Sequence, residues 1–255
     1  APEKADDSEA YINTAKLTID KELINRYAGG GEEDKQDGRE SYEFRAGEDI
    51  EYRVTVNNIQ QNSIARNVVI SDLSLPEGLM LKEDTITVEG IPAQYTNPIA
   101  GTMDPASQLD PDHYKETETA PVNYSLNREG TGWKLTIDNL PCTTGDILNN
   151  WTQPVTVTFH CTATEEVNGW EILNTAKASA DNAEEVKDSE RIWINSPVLA
   201  ITKQADKTEY LVGDTVTYTI HASQEQTGCV ARNVTITDDI LTEGVKLQKN
   251  SIVLL

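Results

Sequence analysis

The chain has 255 residues, 37% of them hydrophobic and 25% charged, which suits one large or two ordinary folded domains and not a disordered chain. Its formal net charge of −22 excludes functions that need a basic surface, because nucleic-acid phosphates and anionic lipid headgroups would both be repelled. No apolar run approaches the ~18 residues of a membrane-spanning helix, so no direct membrane insertion is expected in this segment.

Taken in order, residues 1–15 are acidic and polar and read as a flexible lead-in, and Ala1-Pro2-Glu3-Lys4 has no basic, apolar leader. Leu17, Ile19, Lys21 and Leu23 alternate with Thr18, Asp20 and Glu22, the period of a strand. Ala28 to Glu40, rich in glycine and carboxylates, reads as an exposed loop. Glu48 to Asn58 alternates through Ile50, Tyr52, Val54 and Val56, and a further strand carries Val68 and Ile70 up to Asp72. Leu75-Pro76-Glu77-Gly78 forms a turn, and Leu79 to Val88 gives one more strand. Residues 89–131 are irregular and proline-rich, and a loop of that length is commonly where function lies. Strand signals return at Trp133, Leu135 and Ile137, then Val155 to Cys161, Ile172 to Ala180 and Arg191 to Ile194. Asn195-Ser196-Pro197 is a linker.

After the linker the chain repeats itself. Ala65-Arg66-Asn67-Val68-Val69-Ile70-Ser71-Asp72 returns as Ala231-Arg232-Asn233-Val234-Thr235-Ile236-Thr237-Asp238. The same offset pairs Gly47 with Gly213, Tyr52 with Tyr218, Gly78 with Gly244 and Ile86 with Ile252, a match over about forty residues that chance does not produce. The second copy lacks the Ala28–Glu40 loop and stops at Leu255 before counterparts of the last strands. The expected architecture is all-β: a sandwich spanning 16–196 with long insertions, followed at 198–255 by the start of a second, incomplete one.

The strand period also places polar groups on inward faces. Lys21 points with Leu17 and Ile19, Asp72 with Val68 and Ile70, and Asn174 with Ile172 and Ala176. Lys203 and Asp238 repeat the first two. An unpaired buried lysine or aspartate costs several kcal/mol, so such groups pair, neutralise or react. A neutral Lys21 amine beside a protonated Asp72 and the Asn174 carboxamide can condense, losing ammonia and leaving an amide between Lys21 and Asn174. The alternative is that Lys21 snorkels to water, Asp72 serves the following turn and Asn174 satisfies a sheet edge.

These segments together resemble the immunoglobulin-like conserved-repeat domains of Gram-positive cell-surface proteins, related to isopeptide-containing adhesin and pilin modules. The resemblance rests on Leu17-Thr18-Ile19-Asp20-Lys21, Ala46 to Tyr52, Val69-Ile70-Ser71-Asp72 before Leu75-Pro76-Glu77-Gly78, and Ile172-Leu173-Asn174-Thr175-Ala176. It implies a secreted, wall-associated structural or adhesive module acting as a stiff spacer, with Lys21 and Asn174 cross-linked and Asp72 as the acid. Its implied partners are neighbouring repeats and a host or glycan ligand. Two alternatives are a pilin subunit polymerised by a sortase and a carbohydrate-binding module, the latter drawing on Trp133, Trp151, Trp170 and Trp193.

Other signals are weaker. Leu140-Pro141-Cys142-Thr143-Thr144-Gly145 resembles a sortase signal with one residue too many and reads as a turn. Asp34, Asp37 and Gly38, or Asp104, Asp110 and Asp112, lack the spacing of a calcium loop. His113, His160 and His221 are scattered without Ser-His-Asp or metal-ligand spacing, so no cofactor, metal or external catalysis is expected. Cys161 ends an alternating apolar run and reads as a small buried hydrophobe; a Cys142–Cys161 disulfide is the competing assignment.

Overall fold

In the computed structural model, which describes residues 13–25, 42–98, 117–146, 149–238 and 243–254, the chain divides into two units, 1–195 and 196–255. The first is an immunoglobulin-like β-sandwich. Its strands are β1 (Leu17–Leu23), β2 (Glu43–Phe44), β3 (Asp49–Asn58), β4 (Ile64–Asp72), β5 (Leu79–Leu81), β6 (Thr87–Glu89), β7 (Gln94–Pro98), β8 (Thr117–Pro121), β9 (Tyr124–Glu129), β10 (Gly132–Pro141), β11 (Val155–Ala163), β12 (Glu171–Ala180) and β13 (Ala183–Ile194). One sheet runs β1-β3-β11-β5, with β6 also on β11; the facing sheet runs β2-β13-β12-β4-β10-β9. All pairings are antiparallel except that of β2 with β13.

The alternation written into the strands becomes the core. Ile50, Tyr52, Val54 and Val56 of β3 and Val155, Val157, Phe159 and Cys161 of β11 are buried against Val68 and Ile70 of β4 and Trp133, Leu135 and Ile137 of β10. Apolar side chains two apart share a face, so each strand contributes one row and the two sheets enclose them.

Four stretches differ from the sequence reading. The single strand expected over Leu79–Val88 is two, β5 and β6, joined by a 3-10 turn at Glu83–Thr85. Six steps from Leu81 to Thr87 face three from Cys161 to Thr158, so the excess residues loop out of the ladder. The irregular 89–131 stretch contains β7 and β8, which pair with each other, and β9, which pairs with β10. The last strand starts at Ala183, not Arg191. Asn13 and Ala15, read as lead-in, are fastened: the Asn13 amide bonds both backbone groups of Ile64, and the Ala15 N–H donates to the Asn182 carbonyl at 3.0 Å. The Ala28–Glu40 loop and the carboxylates Asp34, Asp37, Asp104, Asp110 and Asp112 lie outside the described residues.

The second unit contains β14 (Leu199–Ala205) paired antiparallel with β15 (Tyr218–Gln224). Its backbone matches the first at single positions, although residues 231–238, the counterpart of β4, form no strand. Asn67 and Asn233 share a left-handed φ of 50° and 54°, a conformation asparagine tolerates better than most residues. Val68 and Ile70 are fully buried, whereas their counterparts Val234 and Ile236 are 47% and 50% exposed.

Candidate functional site

The site lies between the two sheets where the first strand meets the last ones. β1 sits against β12 and β13, and the Lys21 N–H donates to Asp188 Oδ2 on β13 at 2.8 Å. With its backbone tied at that seam, Lys21 turns its side chain inward. Its Nζ is 2.6 Å from Asp72 Oδ2, and both side chains are fully buried. Asp72 ends β4 and pairs with Trp133 on β10. Gly132, next to Trp133, is required there: a Cβ would stand 1.7 Å from the Asp72 carbonyl oxygen, so any other residue pushes β10 off β4 at the acid. Asn174 lies on the inward row of β12 with Ile172, Ala176 and Ala178 and is fully buried.

Three of the residues marked by the sequence therefore share one dry interior. Neither atom of the Asn174 amide has a hydrogen-bond partner among the described residues, and neither has Asp72 Oδ1. The amide still lies close enough to Asp72 and to Tyr52 to act on the titration of each. A buried carboxamide without partners forgoes about 1–3 kcal/mol per unmet group.

Burial pushes the Lys21 ammonium below its ordinary value, against the pull of Asp72, and pushes the Asp72 carboxyl above its own, against the pull of Lys21. Both displacements favour the uncharged pair, an amine with a free lone pair beside an acid that holds a proton. The snorkelling alternative for Lys21 fails on this geometry.

An aromatic wall, not foreseen from sequence, encloses the amine. The Lys21 nitrogen is 4.8 Å from the Tyr52 ring centre and 5.6 Å from that of Phe159. Phe159 stacks on Tyr52 and meets Trp133 edge-on, with centroids 5.4 Å apart in both pairs. Period-two patterning put these rings inside; their meeting beneath Lys21 depends on the pairing of β3 with β11, which sequence spacing does not encode. Tyr52 carried one usable signal, its repetition as Tyr218.

A pH dependence follows for an unlinked variant such as Asn174→Ala. Between 3.8 and the raised native value of Asp72 the folded state holds the extra proton, so stability falls as pH rises. Between the lowered native value of Lys21 and 10.5 the unfolded state holds it, so stability rises with pH. Denaturant titrations should trace a minimum between those limits; a monotonic curve would contradict the buried pair.

In the second unit Lys203 Nζ bonds both Asp238 oxygens, at 2.9 and 2.7 Å, and lies 4.6 Å from the Tyr218 ring centre. The same three residue types assemble, with Lys203 and Asp238 side chains 38% and 35% exposed.

The remaining candidates form no such site. Cys142 and Cys161 form no disulfide, so the Cys142–Cys161 assignment is incorrect; burial pushes the Cys161 thiol up to about 12. Leu140 and Pro141 close β10, and Cys142 and Thr143 follow it buried in a bend, where the Thr143 N–H donates to the Asn58 carbonyl. Trp133 and Trp193 are core residues and Trp170 is exposed, so the four tryptophans make no planar row. His160 faces outward and meets Asp49 at 2.8 Å, His221 is exposed, and His113 lies outside the described residues.

No family model and no curated protein matches the sequence. Solved structures of related fold include the pilus backbone protein RrgB of Streptococcus pneumoniae (17% identity, TM-score 0.38, 66% of this chain and 32% of that one). They also include the major pilin subunit BcpA of Bacillus cereus (12%, 0.39, 82% and 55%) and the major pilin SpaA of Corynebacterium diphtheriae (17%, 0.35, 73% and 40%). The chain thus spans between about a third and a little over half the length of these proteins.

Proposed function

We propose that the first unit is a load-bearing module of a Gram-positive cell-surface protein, locked by an amide that forms between Lys21 and Asn174 with Asp72 as the acid. The observation that carries this reading is the fully buried Lys21–Asp72 contact of 2.6 Å beside an Asn174 amide with no hydrogen-bond partner. The neutral amine adds to the Asn174 carbonyl carbon, Asp72 relays a proton from the attacking nitrogen to the leaving one, and ammonia departs. The reaction runs once and needs no cofactor.

The topology gives the bond a mechanical meaning. Lys21 is on the first strand of the sandwich and Asn174 on the last but one, so tension entering at β1 and leaving through β13 would pass along the new amide. The ~150 residues between them, on the order of 500 Å of extended chain, would be shielded from load. In single-molecule extension across this unit, the wild-type chain is expected not to release that length, while Asn174→Ala releases it. Full extension of the wild type would refute the reading.

A sortase-polymerised pilus shaft is a second reading that uses the same internal lock, favoured by two units in series that each pair a lysine with an aspartate. It adds one requirement, a lysine of this chain joined to another copy. Secretion, wall attachment and a host or glycan ligand are part of the proposal and not of the geometry.

A further inference from the structure

Beside the Lys21, Asp72 and Asn174 arrangement stands a buried polar group that the chemistry above does not use. Tyr52 is fully buried on β3, packed by its ring against Phe159, and its hydroxyl has no hydrogen-bond partner among the described residues. A buried phenol ordinarily finds an acceptor, and an empty one costs as much as any lost hydrogen bond. Two acceptors in the same interior are unsatisfied, the Asn174 side-chain oxygen and Asp72 Oδ1, and of those two residues only Asn174 acts on the phenol as a hydrogen-bonding group, Asp72 acting by charge alone. The second unit repeats the association, with Tyr218 beside the Lys203–Asp238 pair as Tyr52 is beside Lys21–Asp72. A tyrosine retained in both copies next to the amine is more than core filler, since Phe159 shows that a plain ring suffices for packing.

We propose that the Tyr52 hydroxyl is a catalytic group of the cross-linking step, donating a hydrogen bond to the Asn174 carbonyl oxygen and holding the charge that gathers there when the Lys21 amine adds. This rests on the cross-link reading and divides its chemistry between two groups. The Lys21 nitrogen forms a bond to the Asn174 side-chain carbon, and the carbonyl pair moves onto the oxygen held by Tyr52. Asp72 gives its proton to the departing nitrogen and takes one from the attacking nitrogen. The carbon–nitrogen bond then breaks, the oxygen pair returns to restore the carbonyl, and ammonia leaves. Tyr52 keeps its proton throughout. Burial holds the phenol well above its ordinary range, so it is a donor at every physiological pH. Donors fixed before the charge appears are worth most in a site that excludes water.

Tyr52→Phe tests this, because it keeps the ring and removes only the hydroxyl. Wild type and variant are made by cell-free synthesis, quenched at intervals and read by intact mass for loss of one ammonia. The variant should lose ammonia about 100-fold or more slowly, the usual effect of deleting one such donor. In the unlinked Asp72→Asn background the same substitution should leave the melting temperature nearly unchanged. Equal rates would overturn the proposal. Slowing matched by loss of folding in the Asp72→Asn background would also overturn it, since the role would then be structural. A wild-type chain that never loses ammonia would remove the cross-link itself, and this proposal with it.

Discussion

An Asp72→Ala variant is expected to retain the ammonia that the wild type loses and to be far less stable. Two terms combine. Removing the acid stops the proton relay, so the amide does not form, and closing a loop of ~150 residues is worth roughly 5 kcal/mol by the disulfide formula applied by analogy. The variant also leaves the buried Lys21 nitrogen without the hydrogen-bond partner now 2.6 Å away, a loss that typically costs about 1–3 kcal/mol. Together these approach the whole stability of an ordinary domain. Asp72→Asn separates them, keeping the shape and a hydrogen-bond acceptor while removing the acid. It should lose the bond and only the first term, as read by guanidinium denaturation with intact mass in parallel. Asp72→Ala as stable as wild type would contradict both.

Phe159→Ala should be the most damaging single truncation in the core near the site. Phe159 is fully buried and is the ring on which Tyr52 stacks and Trp133 abuts. Emptying such a position costs about 3–5 kcal/mol. The cavity would open beside the Lys21 nitrogen, which is 5.6 Å from the ring centre. Water entering there would relieve the desolvation that pushes the Lys21 value down, so cross-linking should slow as well as stability fall. A loss under about 1 kcal/mol, with an unchanged rate of ammonia release, would show that the aromatic wall is not what keeps the site dry.

How much of this was written in the sequence depends on which physical rule each element obeys. β3 and β11 alternate strictly because each has one face on the core, and the same alternation carried Lys21, Asp72 and Asn174 inward. The repeat exposed the lysine and the aspartate together, and matched Tyr52 with Tyr218 without placing either at the site. By contrast, the Ala183–Asp188 half of β13 is mostly polar and only part-buried, so no apolar period announces it. The strands β7 to β9 are short, polar and, in β7 and β8, end in proline, which is also the composition of a loop. The break between β5 and β6 has no apolar signature, since Lys82, Glu83 and Asp84 suit a turn or an exposed strand equally. The aromatic wall depends on which strands become neighbours, and only the folded sheets bring Tyr52, Phe159 and Trp133 together.

The central claim is that an amine, an acid and a carboxamide in one water-free interior have become an amide. Peptide mapping of the denatured, digested wild-type protein tests it most directly. The account predicts a single branched peptide joining Lys21 to Asn174, lighter than its two parents by one ammonia. Separate peptides carrying an acylatable Lys21 amine and an intact Asn174 carboxamide would contradict it.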